Sequence, residues 1–101
     1  MNIMSMTRHD KLDEYGLTKH GYDRDFFRAM LARMVADCEY YLGYGQRQSK
    51  HLWTHDPKEQ IAVMWELYAQ LGEEVDGWCP AERIAHFDMD MNEWKDMEWR
   101  Y

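Results

Sequence analysis

Two blocks of apolar residues, each spaced in threes and fours and each stopped by a glycine, commit this chain to helices. In the first block Phe26, Phe27, Met30, Leu31, Met34, Val35, Cys38, Tyr41 and Leu42 share one wide helical face. Asp23 is placed to cap its start, and Tyr22 and Phe27 occupy the two positions of a hydrophobic staple. Gly43 stands where a left-handed C-terminal residue is wanted. The second block opens on Asp56-Pro57-Lys58-Glu59: an acid cap, a proline at the first helical position, and a glutamate three residues after the cap. Ile61, Met64, Trp65, Leu67, Tyr68 and Leu71 form its apolar face, Lys58, Glu59, Glu66 and Gln70 its wet side, and Gly72 ends it. A third repeat, Ile84, Phe87, Met91 and Trp94, starts after Pro80, with Trp78 before it folded back on the core.

The expected fold is therefore all-α: a small three-helix domain with an N-terminal arm and a C-terminal aromatic tail, helical or extended. Its helices span about 24–42, 57–71, and 80–91 or longer. Residues 1–22 form a partly mobile arm that lays Leu12, Tyr15, Leu17 and Tyr22 on the domain of residues 23–101, and a short helix over 8–15 is weakly indicated. An apolar share of 46% and an aromatic share of 15% supply a core and exclude general disorder. Cys38 and Cys79 are too few and too far apart for a disulfide framework or a C-x-x-C motif, which points to a reducing cytoplasm. Charges interrupt every candidate membrane span, and the first residues lack the order of a signal peptide.

Charge divides the chain. Residues 1–53 carry eight Lys and Arg against seven Asp and Glu, a net of +1, whereas residues 54–101 carry four against twelve, a net of −8. Such a balance argues against coating of bulk nucleic acid and suits a basic groove on another protein.

Few residues offer chemistry. His51 and His55 are four apart beside Asp56, but Pro57 disfavours helical geometry there and no third ligand follows, so no metal site is expected. Asp88, Asp90 and Glu93 lack the glycine of a calcium loop. Ser49 and Thr54 have no nucleophile-elbow context, Cys38 falls inside a helix, and Gly43-Tyr44-Gly45 follows a helix rather than preceding one. We expect no enzyme and no cofactor.

Two regions remain as partner-binding candidates. The loop 43–53 mixes Tyr44, Arg47, Lys50 and His51, cations and stacking faces that suit phosphate or single-stranded nucleic acid. Its structural alternative is a turn whose arginine bonds the exposed carbonyls of the first helix while Leu52 and Trp53 enter the core. The acidic half offers Glu73, Glu74, Asp76, Asp88, Asp90 and Glu93, followed by Trp94 and Trp99; it either imitates a phosphate backbone or is a solvated face. Ala29, Ala32 and Ala36 line the far side of the first helix, where a second copy could approach to form a homodimer.

The string Asp37-Cys38-Glu39-Tyr40-Tyr41-Leu42-Gly43, then Gly45, Arg47, Lys50-His51-Leu52-Trp53, Glu59-Gln60-Ile61 and Leu67-Tyr68, resembles a known family. These are the type-eleven domains associated with large polyvalent proteins of phages and conjugative elements, matched over about residues 37–87. Asparagine tends to stand in that family where this chain has Tyr44 and Gln46. The resemblance implies a mobile-element setting, in which small acidic proteins protect incoming DNA by blocking host defence enzymes. The expected function is thus a non-enzymatic, protein-binding inhibitor of a host nuclease, anti-CRISPR or antirestriction in kind. The alternative is a nucleic-acid-binding accessory module built on loop 43–53.

Overall fold

A computed structural model of the chain describes residues 10–19 and 21–93, and within them every regular element is helical. Helix α1 spans Asp10–Glu14, α2 Arg24–Leu42, α3 Pro57–Leu71 and α4 Ala81–Asp88. Short 3-10 turns lie at Ser49–His51 and Gly72–Val75, and α4 widens into a π-helical turn at Met89–Glu93. The third helix thus starts one residue after Pro80, which caps it in an extended conformation. The expected mobile start before residue 10 and the aromatic tail beyond residue 93 lie outside the described residues.

Helix α3 is the centre, packed against α2, α4 and α1. Its buried seam is Gln60, Ile61, Val63, Met64, Leu67 and Leu71. Across it stand Phe27, Leu31, Met34, Cys38 and Tyr41 of α2, with Leu52, Val75, Cys79, Ile84 and Met91 closing the ends. Gln60, fully buried, satisfies its amide by donating to the Met34 carbonyl (3.4 Å) and accepting from the Thr54 backbone N–H (3.1 Å). A polar group so placed fixes the register of α2, α3 and the loop between them, because any slip leaves it unsatisfied in the core.

Both caps act at the start of their helices. Asp23 accepts from the N–H groups of Asp25 and Phe26, and Asp56 from those of Lys58 and Glu59. The return bond of a capping box is not made. The Asp56 N–H donates instead to the Thr54 hydroxyl (3.3 Å), because the Glu59 carboxylate is turned towards α1. There it accepts from Lys11 Nζ (2.8 Å) and the Tyr15 hydroxyl (3.0 Å), while Glu66 accepts from the backbone N–H groups of Lys11 and Leu12. Glu59 and Glu66 are therefore not on a wet side: α1 covers them and drives Leu12 into the core with no exposed surface. At its other end α3 is held by Arg24, which donates to the Gln70 and Leu71 carbonyls and pairs with Glu74, as Arg28 also does.

Four aromatic residues expected on the core lie at its edge. Tyr22, Phe26, Trp65 and Trp78 keep substantial exposure. In the connector it is Val75 and Cys79 that are buried, while Trp78 stays exposed. For Trp65 the reason is that the seam of α3 runs through Gln60 and Val63, which rotates residue 65 to the flank. Gly43 is also reassigned. Its φ is −109°, so it is not left-handed; Gln46 (φ 53°) and Arg47 (φ 58°) make the reversal instead.

Candidate functional site

The loop 43–53 begins where Gly45 passes under the end of α2. The Gly45 N–H donates to the Tyr40 carbonyl (2.6 Å), and a Cβ at residue 45 would lie 2.8 Å from that same backbone oxygen. Arg47 N–H then returns to the Tyr41 carbonyl (2.7 Å). The Arg47 side chain reaches the turn that follows α4, where Nη1 donates to the Asp90 carbonyl (2.8 Å). The backbone and side chain of Arg47 thus tie the end of α2 to the π-helical turn after α4. His51 meets the Tyr40 ring edge-on, with centroids 5.0 Å apart. Tyr44 and Lys50 are exposed. Leu52 is buried; Trp53 packs on Tyr15 (5.5 Å) and its backbone N–H donates to Asp37 (3.0 Å). The four basic-aromatic candidates thus do not converge: Arg47 and His51 contact their own domain, whereas Tyr44 and Lys50 point to solvent.

The carboxylates differ in what they contact. Glu74 is taken by Arg24 and Arg28, Asp88 accepts from the Asn92 amide (2.8 Å), and Glu73 and Asp90 are exposed. Trp94 and Trp99 lie outside the described residues, as does the side chain of Glu93. Ala29, Ala32 and Ala36 are exposed along α2.

Asp76 belongs to a different arrangement. An open groove of about 610 Å³ runs between α3 and the start of α4, walled by Trp65 and Tyr68 on one side and Ala81 and Ala85 on the other, with Asp76 and Glu82 in its lining. The rings of Trp65 and Tyr68 stand edge to face, centroids 6.2 Å apart. The Tyr68 hydroxyl donates to Asp76 (2.7 Å). This bond, with the negative charge of Asp76 and Glu82 nearby, holds the phenol above its ordinary pKa. The groove exists because Ala81 and Ala85, one turn apart on α4, are too short to cover the aromatic pair. Sequence reading placed Trp65 and Tyr68 in the core and did not single out Glu82. The alanine pair facing a Trp-x-x-Tyr step was the signal available.

The two thiols are not poised for nucleophilic chemistry. Cys38 is fully buried against Met64 Sδ (3.7 Å), and burial pushes its pKa up to about 12, with the Asp37 charge adding to the effect. Burial raises Cys79 as well. Among the described residues no group of three His, Cys, Asp or Glu side chains is arranged to hold a metal ion, and no helix is long and apolar enough to cross a membrane.

No curated protein and no solved structure matches the chain. A family model does, over residues 24–91, which takes in α2, the loop, α3, the groove and α4. The chain belongs to the family of large polyvalent protein-associated domain 11.

Proposed function

We propose that this chain is a non-enzymatic, protein-binding factor of a mobile genetic element, acting on a nucleic-acid-handling defence nuclease of the host. The observation that carries the reading is the groove between α3 and α4. It joins exposed aromatic surface to carboxylates on the acidic half of the chain, the combination that anchors and steers contact with a basic protein surface. An anti-CRISPR or antirestriction role follows from that chemistry together with the mobile-element setting of the family. The nucleic-acid-binding alternative is less well supported, since Arg47 and His51 are turned to their own domain.

Affinity capture from a host extract, followed by nuclease assays on whatever is retained, tests the reading. The expected result is a retained nuclease whose cleavage stops at equimolar chain. If no nuclease is retained, and plasmid transfer into a restricting or CRISPR-bearing host is unchanged by expression, the reading fails. A low-salt gel shift with single- and double-stranded DNA and RNA tests the alternative, which requires binding that Arg47→Glu abolishes.

A further inference from the structure

We infer that the groove between α3 and α4 takes an arginine side chain presented by an exposed segment of the partner protein. The inference rests on the protein-binding reading above and names the chemistry that reading leaves open.

Three features of the groove converge on a guanidinium. Trp65 and Tyr68 supply aromatic surface, on which a flat, weakly hydrated cation stacks. Asp76 and Glu82 supply negative charge, and among the described residues no Lys or Arg lines the groove to neutralise it. One oxygen of Asp76 accepts from Tyr68, which fixes the carboxylate while leaving its second oxygen able to pair with an incoming N–H. Glu82, in the first turn of α4, offsets the positive end of that helix, which would otherwise repel a cation. An aliphatic side chain would satisfy the aromatic wall but leave two carboxylates partly desolvated without a partner, so it is disfavoured. The volume lies within the range of ligand clefts and exceeds what one small side chain needs, consistent with a segment lying along the groove.

The test is NMR titration of the full-length chain with an acetylated, amidated Gly-Arg-Gly peptide, and with Gly-Leu-Gly as comparison. The expected result is saturable shifts of the Trp65 indole N–H and the Ala81 and Ala85 amides with the arginine probe, and binding about tenfold weaker or absent with leucine. Trp65→Ala, read at the Ala81 and Ala85 amides, should weaken arginine binding about tenfold. Ala85→Leu, which fills the groove from the opposite wall, should do the same with Trp65 intact. Asp76→Asn combined with Glu82→Gln should remove the preference for arginine over leucine. The buried seam of α3 is untouched by these changes, and helical circular dichroism verifies that each variant is folded. Equal binding of the two peptides, or shifts confined to residues outside the groove, would overturn the inference. Its failure is separable from failure of the broader reading. A nuclease still retained and inhibited by Trp65→Ala and Ala85→Leu would sink the arginine site alone. Arginine-selective shifts with no nuclease retained would leave the site standing and sink the nuclease.

Discussion

Glycine at position 45 answers to space and not to dihedral angle. A Cβ there would lie 2.8 Å from the Tyr40 backbone oxygen of α2, and 3.0 Å from both the Tyr40 ring and His51. Gly45→Ala should therefore destabilise the domain by about 2 kcal/mol or more, measured by urea unfolding, since the obstructing atom belongs to a helix backbone and cannot turn aside. The following reversal carries the opposite liability. Gln46 and Arg47 both sit at positive φ, where a side chain costs roughly 1 kcal/mol, so Gln46→Gly should raise stability by about 0.5–1 kcal/mol. Positions of the glycines were plain in the sequence, but their reasons were not: which one meets a backbone atom depends on how the loop folds beneath α2.

At the level of the helices, most of the motif that carries the family resemblance turns out to be joinery. Asp37 accepts from Trp53, Gln60 links α2 to the loop, and Glu59 holds α1. The two long helices were legible because periodicity and caps are local signals. The docking of α1 was not, since it depends on two carboxylates of α3 some fifty residues away that look solvent-facing when that helix is read alone. The anchor has a defined pH window. Hydrogen bonds from Lys11 and then Tyr15 hold Glu59 below its ordinary pKa, and that stabilisation is present above the unfolded value and lost as pH falls through the folded one. The bond to Glu59 raises Lys11, whose contribution is present below its ordinary pKa of 10.5 and lost as pH rises through the raised value. The Leu12 methyl resonances should therefore move towards random-coil positions in acid, and Glu59→Gln should remove that acid transition. Leu12→Ala, which empties a fully buried site, should cost about 2–4 kcal/mol in the same unfolding assay.

For the molecule as a whole, the carboxylates of the acidic half have different tasks. Arg24 and Arg28 consume Glu74, Asp88 is used near the π-helical turn, and Asp76 with Glu82 faces the aromatic groove. A charge count along the chain reads these residues as one run, because it contains nothing about which side of α3 each will occupy. The excess of carboxylates is what makes a basic protein the proposed partner. Association with a basic protein should accordingly slow as salt is raised from about 0.05 to 0.5 M, with dissociation much less affected, in stopped-flow or surface-binding traces. The most direct test is amide hydrogen exchange of the chain alone and bound to a nuclease captured as proposed above. The account predicts new protection at residues 65–68 and 76–85, with 43–53 unchanged. Protection over 43–53 with the α3–α4 groove still exchanging freely would contradict it.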